Sequence, residues 1–400
     1  MESGILTDPW IDGEPRFRET PMIVTAAEQR ALYRAAEDAA SVYDELCTLV
    51  CERPALLEDF FCLTPWQKAM WLSSAPLWHG IARADVFVTD RGLSICEINS
   101  DTPTGEAEAA ILSAIAAEAH PGAVDPNREL ADRFCDAIEV LASHLVEPPL
   151  RRSVGLVYPT EFTEDLSVIR LYRRWLEERD WEVILGSPYN LGWDERGPLL
   201  FGRPFSLLFR HYKTDWWGER SSVWDDEKIA DADALETPLQ IALAASLERR
   251  AAVVNPFGAV LPQNKRSMAF MWEHLSDFSS RGQEIIRQLI PETIRLEKLD
   301  KARLVDERER WVLKSDYGAE GEEVLLGCHT PEADWRLALD HAREGRWIAQ
   351  RFFKAKEDAR GEVVNHGVYI IAGEAAGLYA RMQVGATDDR AISAPVIVVG

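Results

Sequence analysis

The most regular pattern of apolar and polar positions lies near the start of the chain. From Thr25 to Glu52 apolar residues return every three or four positions in a segment rich in Ala, Glu and Arg, which predicts a long amphipathic helix. Thr64 to Ala82 reads as a second helix, with Thr64 at the N-cap and Pro65 in the first turn. Two short runs, Asp85–Thr89 and Leu93–Asn99, flank Asp90-Arg91-Gly92 and predict a β-hairpin closed by a three-residue loop. Helices are predicted again over Gly105–His120 and Asn127–Leu145, and Glu147-Pro148-Pro149-Leu150 marks a boundary.

Beyond that boundary the period changes. A short apolar strand in Ser153–Thr160, a helix over Asp165–Asp180 and a strand in Trp181–Ser187 make a βαβ unit of the kind found in parallel sheets. Gly202–Tyr212 supplies a further strand and Pro238–Val254 a further helix, followed by alternating strands and turns over Arg310–Leu326, Arg346–Phe353 and Gly367–Gly385. The expectation is an α/β protein in three parts packed as one multi-lobed unit. Residues 1–150 form a helical region with the hairpin, 151–250 an α/β unit, and 251–400 a strand-rich region.

Composition narrows the function classes. The 400 residues are 46% apolar and 28% charged, as in a globular protein. A formal charge of −23 argues against nucleic acid or an anionic membrane surface as partner, while leaving room for a local basic pocket. Six scattered cysteines without a C-x-x-C pair read as reduced, mostly buried thiols. Met1–Trp10 lacks the basic and apolar regions of a signal peptide, and no long apolar run is present, so a cytoplasmic protein is expected. P-loop, dinucleotide-binding, zincin and nucleophile-elbow motifs are all missing, and the eight histidines form no ligand-spaced pair.

The hairpin carries the first candidate chemistry. Pairing Thr89 with Leu93 puts Asp85 opposite Glu97 and Arg83 opposite Asn99, so four polar side chains converge on one face. Two carboxylates at roughly 5 Å repel by about 3 kcal/mol at an effective dielectric near 20, which calls for a cation. Arg83 supplies one charge, and a Mg²⁺ on two carboxylates and an amide oxygen would supply more. A salt-bridged surface face satisfies the same pattern. Lys314 ends an apolar strand before the glycine-bearing loop "SDYGAEG", a suitable phosphate grip, and Lys265 stands between a proline-containing loop and a helix. Taken alone, a lysine in either context is more often a solvated one. Arg381, inside the apolar run "GLYARMQVG", needs a carboxylate partner or a ligand.

Taken together, "RAD" and "CEINSDTP" resemble the R-x-D … E-x-N-x-D-T-P signature of the glutathionylspermidine synthetase family. "NPFGAVLPQNK", "VLKSDYGAEG", "WIAQRFF" and "GVYIIAGEAAGLYARMQ" follow in that family's order, so the resemblance runs from about residue 10 to the C-terminus. It implies a permuted ATP-grasp fold with a pre-ATP-grasp βαβ unit. The function it implies is an ATP- and Mg²⁺-dependent ligase joining the small-molecule carboxylate of a peptide or amino acid, glutathione-like peptides included, to an amine through an acyl phosphate. By the same resemblance Asp85, Glu97 and Asn99 would hold two Mg²⁺ ions, with Asp85 also in the nucleotide site. Arg83 would stabilise the transferring phosphoryl group and contact nucleotide and acid substrate, and Arg381 would face the phosphates. Lys265 and Lys314 would bind ATP phosphates, Glu320 and Gly321 would lie in the loop over them, Gln350 and Phe352 would line the adenine pocket, and Thr102 would contact the acid substrate.

Such chemistry needs positioning and charge neutralisation rather than a protein nucleophile, in keeping with the lack of a Ser/His or Cys/His constellation. The chain departs from the family in three places. No amidase domain of the kind some members carry in front is expected, the "KSDYGAEG" loop lacks the expected proline and arginine, and the acidic polyamine-binding segment is not recognisable. Arg210, His211 and Lys213 stand in that last neighbourhood and suit either an anionic substrate or a surface patch. Two other readings stay open: a ligase of the same fold with a different acid and amine, and a catalytically silent nucleotide-binding homologue. A monomer or homodimer is expected, without nucleic acid or membrane partners.

Overall fold

A computed structural model describes residues 4–7, 9–11, 13–160, 165–219, 235–318, 324–385 and 390–400. Thr25 begins the helix Ala26–Glu52: its hydroxyl accepts the Glu28 N–H, and the Glu28 carboxylate accepts the Thr25 N–H. The stripe Leu32, Ala36, Tyr43, Leu46 and Val50 is buried in the main core. Thr64 and Gln67 cap the next helix in the same way, but it stops at Ser74 instead of running to Ala82. Pro76 has no N–H to continue the ladder, and the chain turns into a strand at Ile81. The helices Glu106–Ala119 and Leu130–Leu145 form as expected.

The βαβ unit becomes a four-stranded parallel sheet in the order Ala252–Val254, Leu207–Arg210, Ser153–Val157, Glu182–Gly186. Its two middle strands are wholly buried, which is why they read as continuous apolar runs. A second, antiparallel sheet in the order Thr293–Arg295, Trp347–Arg351, Trp311–Ser315, Val324–Leu326 carries its own small core of Leu304, Trp311, Leu313, Trp335, Leu339 and Ala349.

The sheet that positions the site joins distant parts of the sequence. Its order is Ile392–Ala394, Glu374–Val384, Glu362–Ile371, Ile81–Thr89, Gly92–Asn99, all antiparallel. The early hairpin therefore extends a C-terminal one, with Gly367 opposite Asp85 and Tyr369 opposite Arg83. A Cβ at Gly367 would come within 2.7 Å of Arg83 Cδ, so this glycine makes room for the arginine side chain. The last strand, Val396–Val399, pairs in parallel with Met22–Thr25 just ahead of the long helix.

All six cysteines are free, but only Cys47 and Cys135 are buried, whereas Cys51 and Cys62 are exposed. Cys51 follows Cys47 by one helical turn and a fraction, which carries it off the buried stripe. Among the described residues no helix is long and apolar enough to cross a membrane.

Candidate active site

The hairpin reaches its expected pairing by an unexpected route. Thr89 pairs with Gly92, so the turn is the two-residue Asp90-Arg91, one residue shorter than the sequence suggested. That slip alone would put Cys96 opposite Asp85 and exchange the two faces of the strand. A β-bulge corrects it: Val86 pairs with Ile95 and Asp85 with Glu97, leaving Cys96 as the extra residue. Arg83 faces Asn99 as expected. The bulge also turns a backbone carbonyl outward, and Cys96 O accepts from Lys314 Nζ at 3.3 Å.

Asp85 is the hub. Its Oδ1 accepts from Arg83 Nε at 2.8 Å and Asn99 Nδ2 at 3.4 Å; its Oδ2 accepts from Asn365 Nδ2 at 3.0 Å and Arg381 at 3.3 Å. Only 2% of the Asp85 side chain is exposed. Burial pushes its carboxyl up, but Arg83, Arg381 and the hydrogen bonds together hold it below the ordinary aspartate value. Arg83 extends the network by donating to the Thr104 carbonyl at 2.7 Å, and Tyr369 donates to the same carbonyl at 3.3 Å.

Glu97, opposite Asp85 on the neighbouring strand, is more open, with 28% of its side chain exposed, and pairs with Lys265 Nζ at 3.4 Å. Lys265 lies at the start of the helix Arg266–Glu273 and also donates to Gly318 O, beside the predicted phosphate loop. Four elements thus deliver Arg83, Arg381, Lys265 and Lys314 to a face holding Asp85 and Glu97. Four cations against two carboxylates leave a net positive field suited to a polyanion.

The remaining candidates are spread around this face. Gln350 is buried in Trp347–Arg351, and its amide donates to Thr293 Oγ1 at 3.1 Å. Half-buried Phe352 follows the same strand, and Thr102 is half-buried in the loop after the hairpin. Glu320 and Gly321 lie outside the described residues. The loop carrying Thr102 is fixed from the parallel sheet. Asp101 binds Arg210 at 2.5 Å and accepts from the Thr214 backbone N–H, while Asn255 donates to Asp101 O.

Arg210 is therefore neither a surface residue nor free for an anionic substrate: its side chain is fully buried and committed to Asp101, Tyr212 O and Pro256 O. His211 lies 3.2 Å from Asp165 Oδ2; burial pulls its pKa down, but Asp165, Glu106 and Asp101 together hold it above the ordinary histidine value.

Two site residues were missed in the sequence. Asn365 stands opposite Arg381 in the strand pairing and holds Asp85 with its amide nitrogen, while its Oδ1 is buried without a partner. Register between distant strands was the only signal for it. Glu106 was read as the start of a helix, yet both its carboxyl oxygens are buried and unpartnered.

The donor set for a divalent cation is partly available. Glu97 gives one oxygen to Lys265 and is open on its other side, and Asn99 offers an amide oxygen beside it, the hard donors that Mg²⁺ takes. Asp85 has both oxygens engaged and would complete the set only by releasing a guanidinium. Among the described residues no group of three or more His, Cys, Asp or Glu could hold a metal ion.

Comparison with known proteins follows the same line. The sequence matches the glutathionylspermidine synthase preATP-grasp family over residues 5–399. A glutathione synthetase-like effector of Globodera pallida in its apo form superposes with a TM-score of 0.60 at 10% identity, covering 100% of this chain and 94% of that one. A gamma-glutamylcysteine synthetase-like protein of Methylobacillus flagellatus gives 0.48 at 12% identity, covering 94% and 87%. A RimK-domain ATP-grasp protein of Sphaerobacter thermophilus gives 0.32 at 19% identity, covering 61% and 90%. None of the curated proteins matches the sequence.

Proposed function

The chain belongs to the glutathionylspermidine synthase preATP-grasp family and has an ATP-grasp fold, and from that premise we propose that it joins a carboxylic acid to an amine at the expense of ATP. The observation that carries this reading is the convergence of Arg83, Arg381, Lys265 and Lys314 on Asp85 and Glu97. The surplus positive charge suits a triphosphate and the carboxylate it activates.

In this reading Lys265 and Lys314 grip the phosphates from two sides of the hairpin strand. Arg83 and Arg381, oriented by Asp85, stabilise charge on the phosphoryl group as it moves to the acid and on the acyl phosphate that results. Asn365 keeps Asp85 in place, and Gly367 keeps the space Arg83 needs. Thr102, on the loop fixed by Asp101 and Asn255, meets the acid, while Gln350 and Phe352 lie on the adenine side. Glu97 and Asn99 would hold Mg²⁺ with Asp85 as third donor, and the bound ion would neutralise phosphate charge and polarise the transferring group.

The test is ADP release from ATP against a panel of free amino acids, short peptides and alkyl amines, with products detected by mass. An amide formed in step with ADP supports the proposal. Tight ATP binding without ADP release from any pair would sink it in favour of a silent nucleotide-binding homologue.

A further inference from the structure

We propose that Glu106 is a catalytic residue of this reaction, the group that takes the proton from the incoming amine; the inference rests on the ligase reading above. Glu106 opens the helix Glu106–Ala119, is fully buried, and neither carboxyl oxygen has a hydrogen-bond partner. The Tyr172 hydroxyl beside it is also buried and closes no hydrogen bond of normal geometry. Folded proteins seldom leave a carboxyl and a hydroxyl unmatched in this way, and the pair calls for a ligand or a chemical task.

The location supplies the task. Thr104, two residues before Glu106, accepts Arg83 and Tyr369 through its carbonyl, and the Arg83 charge acts on the Glu106 carboxyl. The groups around it are Arg83 and Tyr369 from the central sheet, Tyr172 from the helix Leu166–Glu177, and His211 after the strand Leu207–Arg210. Glu108 lies on its own helix, with Asp165 and Arg16 further out. Exposure falls inward along this set: 29% for the Asp165 side chain, 3% for His211, and none for Glu106. Three carboxyls, Glu106, Glu108 and Asp165, stand here among Arg83, Arg16, Lys213 and His211.

Burial raises the Glu106 carboxyl to about 7, against the opposing pull of its own backbone N–H, Arg83, His211 and Tyr172. That is where a proton acceptor works best near neutral pH. The carboxylate takes one proton from R–NH₃⁺, and the freed lone pair attacks the carbonyl carbon of the acyl phosphate. The C–N bond forms, the C–O bond to phosphorus breaks, and phosphate leaves with the electron pair and the second N–H proton.

The test compares wild type with Glu106→Gln, using hydroxylamine, which is largely uncharged at neutral pH, or protonated 1,4-diaminobutane as nucleophile. With the diamine, Glu106→Gln should lose about a hundredfold or more in kcat/KM and lose the wild-type rise with pH. With hydroxylamine, hydroxamate should form at the wild-type rate. Glu106→Asp, a second variant should Gln not fold, should slow the diamine reaction and spare hydroxylamine. Equal loss with both nucleophiles would assign Glu106 to packing, and loss with neither would also overturn the proposal. No hydroxamate from any acid with wild type would instead reject the ligase reading, and this inference with it.

Discussion

Replacing Asp85 with Asn separates what this residue does for the fold from what it does for chemistry. The substitution keeps the shape and removes the charge that balances Arg83 and Arg381. Arg381 is 22% exposed and can turn to solvent, but the Arg83 side chain is only 8% exposed and keeps just the Thr104 carbonyl and one amide oxygen. Breaking a buried ion pair by removing one partner costs about 3–5 kcal/mol. The surviving bonds place Asp85→Asn at the low end, about 3 kcal/mol, or about two orders of magnitude in the folded-to-unfolded ratio. Glu97→Gln is the contrast: its side chain is partly exposed, and its partner Lys265 keeps the Gly318 carbonyl, so about 1 kcal/mol is expected. Urea titrations followed by tryptophan fluorescence measure both, with amide exchange in Ile81–Thr89 reporting the sheet itself. Both variants should lose ATP-dependent ADP formation, but only Asp85→Asn should lose the fold early. A wild-type urea midpoint for Asp85→Asn would refute the reasoning about the buried pair, and full activity of Glu97→Gln would refute the site.

Three further outcomes are expected. Lys265→Ala and Lys314→Ala should each weaken binding of a non-hydrolysable ATP analogue about tenfold or more, near 1.4 kcal/mol, by calorimetry; unchanged affinity would move the phosphates elsewhere. Gly105→Ala should lower the melting temperature, with a cost of about 2 kcal/mol. Gly105 has φ +93° and its new Cβ would fall 2.6 Å from Tyr379 Cε1, on the ring that the Arg83 guanidinium faces. For Glu106 the folded carboxyl titrates near 7 and the unfolded one near its ordinary value of 4.5. The native state thus holds the proton longer, and stability falls as pH rises from 4.5 to about 7. Glu106→Gln should therefore be more stable than wild type at pH 8 by about 3 kcal/mol and equal to it at pH 4, measured by denaturant unfolding.

Local chemistry made much of this legible from residues alone. The N-cap at Thr64 and the parallel βαβ unit follow from residue type, spacing and period, whereas the capping boxes at Thr25 and Thr64 emerged only in the structure. The hairpin pairing of Asp85 with Glu97 was foreseen, but from a three-residue loop without a bulge; two one-residue errors cancelled. Turn length and bulge position are set by how the strand meets Lys314 and the neighbouring sheet, which no local pattern records. Arg210 shows the same limit. Its charge suggested solvent or substrate, whereas Asp101, more than a hundred positions away, draws it into the interior. Asn365 and Glu106 escaped because strand register and burial, not sequence neighbours, give them their surroundings.

The most direct measurement of the central claim follows an oxygen atom. An acid substrate labelled with ¹⁸O in its carboxylate is incubated with the protein, ATP, Mg²⁺ and amine, and the released phosphate is analysed by mass. Activation through an acyl phosphate on the Arg83–Arg381 face predicts one ¹⁸O in each phosphate released. Unlabelled phosphate alongside amide formation would contradict the account.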